Sequence, residues 1–194
     1  MFGGEAMATE EPAFTVAFHE GEFEVRDYPA LVVAEVSVSG RRDEASNAGF
    51  RLLAGYIFGG NTRRQSIAMT APVAQERASG ETIAMTAPVT QSGEGGAWIV
   101  RFTMPSAYTL ETLPTPNDAR IRLVAMPPSR YAVVRFSGLS RSAEVERRTE
   151  ALRTFMARHQ LRAAGPPSLA RYNPPWTLWF MRRNEVWIPV ERTR

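Results

Sequence analysis

Phe14, Val16 and Phe18 alternate with polar or small neighbours, and Phe23 and Val25 do the same after Glu20-Gly21. A period of two interrupted by a glycine turn predicts a β-hairpin with one buried face. Leu31 to Ser39 reads as a further strand ending at Gly40, residues 43–58 follow a helical period, and 97–104 return to a strand. The second half repeats the plan. Tyr131 to Gly138 echoes Val32 to Gly40, and each is followed by a helix, the second from about Ser142 to His159. Ala170 and Pro174 match Ala68 and Pro72 at one offset of 102 residues, which points to an internal duplication. Two strand–helix–strand–strand halves then form an α+β fold. Its curved, antiparallel, barrel-like sheet is flanked by two helices, with a cleft near the pseudo-twofold axis. Residues 1–11 are small and polar and read as disordered, leaving 12–194 as a single domain.

One segment recurs identically. Ile67-Ala68-Met69-Thr70-Ala71-Pro72-Val73 returns sixteen residues later at Ile83-Ala84-Met85-Thr86-Ala87-Pro88-Val89. Each copy reads as a short strand, with a Ser79-Gly80 turn signal between them. Paired as a hairpin, they place Ile67, Met69, Ile83 and Met85 on one face, and Pro72 and Pro88 end the regular pairing.

The repeat keeps specific company. Upstream stand Phe23-Glu24-Val25-Arg26-Asp27-Tyr28-Pro29 and Tyr56-Ile57-Phe58-Gly59-Gly60-Asn61. Downstream come Trp98-Ile99-Val100-Arg101-Phe102-Thr103-Met104-Pro105, Tyr172-Asn173-Pro174-Pro175 and Arg182-Arg183-Asn184-Glu185-Val186-Trp187-Ile188. This ordered set resembles the SOUL/haem-binding-protein family, in the form common among bacterial members, from about Pro12 to Val190. The resemblance implies a soluble tetrapyrrole-binding domain similar in fold to the effector-binding domains of certain bacterial regulators. It also implies a non-covalent haem or related tetrapyrrole as the small-molecule partner.

The first helix is the most informative element. Ala45, Ala48, Gly49, Leu52, Leu53 and Tyr56 form one apolar stripe that is expected to pack on the sheet. Phe50, Ala54, Ile57 and Phe58 fall together with Asn47 on the other side of the wheel, an apolar face that a surface helix does not need. In the family this outer face is where tetrapyrrole contact has been proposed, and the matching positions are Asn47, Phe50, Ala54 and Gly55. Arg51 at its margin, with Arg63 or Arg64 beyond, can supply charge-assisted bonds to carboxylates. The candidate cofactor-binding set is therefore Asn47, Phe50, Arg51, Ala54, Gly55 and Phe58.

Axial ligation of a haem iron needs His, Cys, Met or Tyr. There is no cysteine and only two histidines. His19 has the outward parity of its strand, and His159 continues the Val145, Leu152, Phe155, Met156 stripe, where a capped core histidine is the ordinary outcome. Some family members place a proposed histidine ligand where this chain has Asp27. Met69 and Met85 are chemically competent, but methionine in a strand is ordinarily core filler. The axial ligand is thus left open, and no metal site is predicted.

Catalytic signatures are few. The chain has no Gly-x-Ser-x-Gly elbow, no His-Glu-x-x-His pair and no phosphate-cradling loop. Related effector-binding folds include hydrolases that use a cleft glutamate, so the enzyme alternative rests on Glu185. The alternative to both readings is a regulatory or protein-interaction module whose apolar helix face docks a partner. All 23 basic residues are arginine, which removes lysine chemistry, and the net charge of +3 is spread as pairs along the chain. Nothing concentrates charge as nucleic-acid binding requires. Apolar runs are too short to span a bilayer, and no signal peptide is evident, so the sequence predicts a cytoplasmic protein without membrane or nucleic-acid partners. It does not set an oligomeric state.

Overall fold

The computed structural model describes residues 9–78, 96–173 and 176–191. Strands β1 (Thr15–Glu20) and β2 (Phe23–Tyr28) form the expected hairpin, turning at Gly21 with φ of +61°, a left-handed conformation that glycine adopts without a Cβ clash. β3 (Leu31–Gly40) leads into α1 (Arg42–Ile57), followed by β4 (Val73–Arg77) and β5 (Gly96–Thr103). The second half runs β6 (Ile121–Met126), β7 (Ser129–Ser137), α2 (Ser142–Arg158), β8 (Ser168–Arg171) and β9 (Arg183–Val190). Acidic Asp43 and Glu44 open α1, Glu144 opens α2 and Arg158 closes it, each sign matching the helix dipole.

Among the described residues nine strands join one antiparallel sheet in the order β1-β2-β7-β9-β8-β4-β5-β3-β6. The sheet is curved but not closed into a barrel, and β1 and β6 remain its edges. From the central β8–β4 pair outward, β4-β5-β3 on one side answers β8-β9-β7 on the other. The flanking strands are exchanged, since β6 of the second half pairs with β3 and β2 of the first half pairs with β7. The 102-residue offset does not mark equivalent positions, because Ala170 lies within β8 whereas Ala68 precedes β4.

Each helix covers its own half. α1 buries Ala45, Gly49, Leu53, Tyr56 and Ile57, and Leu53, Tyr56 and Ile57 share a core with Val36, Val100 and Phe102. α2 buries Val145, Leu152, Phe155 and Met156 against Val134, Phe136, Val186 and Ile188. The Gly59-Gly60-Asn61 segment stops α1 by a specific geometry. Gly59 takes φ of +114°, and the Asn61 side chain donates to the carbonyls of Tyr56 and Gln65 while accepting from the N–H groups of Arg63 and Gln65.

Several expectations change. The first heptapeptide copy is not a strand along its length: regular pairing begins only at Val73, after isolated bridges at Ser66 and Thr70. Ile67 is buried and Met69 half-buried, as a core-facing segment requires. The second copy, 83–89, lies outside the described residues. On α1, Ala48 is exposed and Ile57 is fully buried, so Ile57 leaves the outer face and joins the core. Ahead of β1, Glu10 and Glu11 are tied to the domain. Glu10 bridges Thr70 and its carboxylate accepts the Ser106 N–H, and Glu11 pairs with Arg183.

Candidate functional site

A cavity of about 390 Å³ opens between the two helices, over the starts of β4 and β9 and the end of β8. Asp43, Ser46, Asn47 and Phe50 of α1 line one wall, and Leu139, Ser140 and Arg141 ahead of α2 line the other. Val73, Arg171, Asn173, Arg182 and Asn184 complete it. The volume falls within the range of small-molecule sites. Apolar contact comes from Phe50, Val73 and Leu139, and Phe50 and Leu139 are 37% and 38% exposed. Phe50 leans on Phe102 with ring centroids 5.4 Å apart, which fixes its orientation.

Three arginines ring this cleft and differ in their freedom. Arg171 is a strut between the helices, donating to Ser140 Oγ (3.1 Å), Ser46 Oγ (2.7 Å) and Asp43 Oδ1 (3.2 Å). Arg182 donates from Nε to the Thr177 carbonyl at 2.9 Å. Arg141 is the exposed N-cap residue of α2 and makes no ion pair among the described residues. Asn184 is buried and donates to the Gly138 carbonyl, pinning the loop that presents Leu139 and Arg141. Below α1, Gln75 Nε2 donates to the Arg42 carbonyl, while Gln75 Oε1 and Arg42 Nη1 are buried without a hydrogen-bond partner among the described residues.

The sequence-predicted residues divide. Asn47 and Phe50 reach the cleft. Ala54 and Phe58 continue the same side of α1 away from it, half-buried and 68% exposed respectively. Gly55 and Arg51 are exposed, and Arg51 makes no ion pair among the described residues. Arg63 Nη1 donates to the Thr112 carbonyl. Leu139, Arg141 and Arg171 were not anticipated. Asn173, Arg182 and Asn184 stood inside quoted motifs, so a signal existed, but nothing local tied them to α1.

The helix-free face of the sheet gathers the remaining motif residues. Glu185 of β9 is fully buried and accepts from Arg26 Nη1 (2.9 Å) and Nη2 (3.0 Å), Tyr172 Oη (2.6 Å), Trp187 Nε1 (2.8 Å) and Arg183 Nη2 (3.0 Å). Burial alone would raise its pKa. The Arg26 bonds and charge, with the Tyr172 and Trp187 donors, outweigh that and hold it at about 2. Burial pushes Tyr172 well above its ordinary value, and the adjoining Glu185 charge pushes it further. Tyr28 rises to about 12 through burial, despite the neighbouring Arg26. Arg26 also donates to Glu24 and stacks its guanidinium 4.3 Å from the Phe14 ring centroid. On the other half of this face, Arg101 joins Glu35 at 2.8 Å and Glu76 at 2.6 Å, and Arg122 also pairs with Glu35. Asp27, where some family members carry histidine, is held bidentately by Arg130.

Neither histidine approaches the cleft walls. His19 is exposed on edge strand β1 opposite Glu24. His159 caps the C-terminus of α2, with Nε2 at 2.9 Å from Glu20 and its ring against Phe18 and Phe155. The core position expected for His159 is therefore a half-shielded surface contact. Among the described residues no cluster of His, Cys, Asp and Glu could hold a metal ion.

An α+β domain with two helices on a curved nine-stranded sheet, a cleft between the helix starts and a ring of arginine is an effector-binding-like architecture. The chain belongs to the SOUL heme-binding protein family, whose model matches residues 9–189. No curated protein matches it significantly. Among solved structures it is similar to the EcmrR C-terminal domain, with 11% identity and a TM-score of 0.63 over 88% of this chain and 98% of that one. A hydrolase from Listeria innocua gives 15% identity and a TM-score of 0.59 over 88% and 92%. EcmrR in complex with DNA gives 10% identity and a TM-score of 0.61 over 88% of this chain and 57% of that one. These likenesses concern the fold.

Proposed function

We propose that this protein binds haem or a related tetrapyrrole reversibly, in the cleft between α1 and the start of α2 and along the adjoining outer face of α1, and serves in buffering or transport. The observation that carries this reading is the convergence of Phe50, Leu139 and Val73 with Arg141, unpaired among the described residues, in one open cleft of a SOUL-family domain. A flat macrocycle gains chiefly from apolar area buried against Phe50, Leu139 and Ala54, at roughly 25 cal/mol per Å² before the costs of association. Arg141 and Arg51 are placed to orient its carboxylates by charge-assisted hydrogen bonds. When bound, haem supplies iron redox chemistry and a visible absorption band. The donor set of the cleft holds no His or Cys, so this chain contributes apolar walls and carboxylate anchors and no strong axial ligand.

Glu185 supports a structural role in this reading. A general acid or base needs a pKa near the working pH and access to substrate. Glu185 has a pKa of about 2, is fully buried and already accepts from several donors. The test is a haemin absorbance titration of the wild type, of Phe50→Glu and of Arg141→Glu. Saturable binding weakened at least about tenfold by Phe50→Glu is expected, since ~60 Å² of lost apolar contact is worth ~1.4 kcal/mol. Equal affinity in all three proteins would place the tetrapyrrole elsewhere.

A further inference from the structure

Trp176, Leu178, Trp179, Phe180 and Met181 stand within six consecutive residues, and each is more than half exposed, Trp176 by 83%. The 3-10 turn Trp179–Met181 contains no buried residue. Exposed apolar side chains ordinarily occur singly, and a contiguous set marks a contact surface. With all five exposed, residues 176–181 form a ridge, not a walled groove. A ridge suits insertion into a soft apolar medium better than a rigid partner that needs complementary packing. Two of the four tryptophans of the chain are here. The indole, an apolar body with one N–H donor, is favoured at the water–bilayer interface.

The ridge is held in shape and its charge surroundings fit an anionic surface. Arg182 Nε donates to the Thr177 carbonyl at 2.9 Å, and the Gly138 N–H donates to the Arg182 carbonyl at 3.2 Å, tying the ridge to the start of α2. Between Glu150 and Glu185 the sequence has no acidic residue and six arginines. On the elements around the ridge, Asp43, Glu11, Glu44 and Glu144 are paired with Arg171, Arg183, Arg41 and Arg147, and the exposed Glu146 lies within electrostatic reach of Arg42. Arg141, at the same end of α2, makes no ion pair among the described residues.

We infer that this ridge docks the protein onto the surface of an anionic lipid bilayer, with Trp176, Trp179 and Phe180 in the interfacial layer and Arg141 and Arg182 among the headgroups. Apolar insertion combined with basic flanks is the physical basis of such surface binding. The contact is peripheral. Among the described residues no helix is long and apolar enough to cross a membrane, and six residues cannot span one. The sequence predicts no membrane partner, and this inference departs from that expectation: short apolar runs exclude a spanning segment but not a surface ridge. The inference shares Arg141 with the proposed tetrapyrrole cleft but does not rest on tetrapyrrole binding.

The full chain, without haemin, is mixed with vesicles of phosphatidylcholine and phosphatidylglycerol in equal amounts, and separately with phosphatidylcholine alone. Co-sedimentation and tryptophan emission are the readouts. Binding to the anionic vesicles with a blue-shifted emission, weakened by salt, is expected. The double variant Trp179→Ser, Phe180→Ser should lower partitioning at least about tenfold, and Arg141→Ala roughly fivefold, with circular dichroism unchanged because the replaced side chains are exposed. No co-sedimentation, or binding that these variants leave intact, overturns the inference. Self-association without lipid that the ridge variants dissolve, accompanied by no vesicle binding, assigns the ridge to a second copy and overturns it equally.

Discussion

At the scale of single residues, the Arg26–Glu185 pair shows how a buried charge is kept. Both side chains are fully buried, and the cost of desolvation is offset only because each Glu185 oxygen accepts from more than one donor. Glu185→Gln removes the charge and leaves buried Arg26 with only the partly exposed Glu24 as counter-ion, so urea denaturation should show a loss of about 3 kcal/mol. Adding Arg26→Met to that variant should recover part of the loss, because the stranded charge is then gone. The pH dependence has a definite sign. Glu185 titrates at about 2 in the folded protein and near ~4.3 when unfolded, so its contribution is complete above the unfolded value. It is lost as pH falls from there towards about 2, and amounts to about 3 kcal/mol. Acid unfolding curves of Glu185→Gln should lack that component. An unchanged acid slope would mean that other carboxylates dominate.

At the scale of elements, α1 shows what was legible in the sequence and what was not. Its bounds, its stop at Gly59-Gly60-Asn61 and most of its inward stripe follow from local pattern, because helical period and glycine geometry are local properties. The face assignment of Ile57 failed for a tertiary reason. At the last turn, residue 57 faces the segment that returns from the helix, and the Ile67 N–H donates to the Ile57 carbonyl at 2.7 Å, so Ile57 is enclosed. The heptapeptide misled in a similar way. Alternation suggested a strand from Ile67, but the pairing partners of β4 begin only opposite Val73. The cleft partners Leu139, Arg141 and Arg171 were invisible because they join α1 only through the meeting of the two halves.

Two variants separate the faces of α1. A Cβ at Gly49 would lie 2.6 Å from Val100 Cγ2, so in Gly49→Ala an overpacking cost of about 1–3 kcal/mol opposes ~1 kcal/mol gained in helix propensity, and thermal or urea unfolding should show a net loss of up to about 2 kcal/mol. Ala54→Glu, on the half-buried outer side, should change stability little yet reduce haemin affinity at least about tenfold. Unaltered affinity in Ala54→Glu would confine the ligand to the cleft proper.

At the scale of the whole molecule, the symmetric topology decides which groups a cleft ligand can meet. Both helices begin at the cleft, since Asp43 and Ser46 of α1 and Arg141 at the N-cap of α2 line it. Their C-termini therefore point away from it. His159 caps the far end of the 17-residue α2, and at ~1.5 Å per residue it lies about 25 Å from the N-cap. His19 adjoins Glu20, the partner of His159, so both histidines sit at that remote end. Met69 packs against the α1 core as a partly buried residue, and Met85 lies outside the described residues. Tetrapyrrole binding that depends on area and arginine contacts should thus be insensitive to histidine. His19→Ala, His159→Ala and their combination should retain haemin affinity within about twofold and show the same absorption band as the wild type. Loss of the band in His159→Ala, with Phe50→Glu binding normally, would move the ligand to the Phe18–Phe155 end of α2 and refute a site at the helix starts.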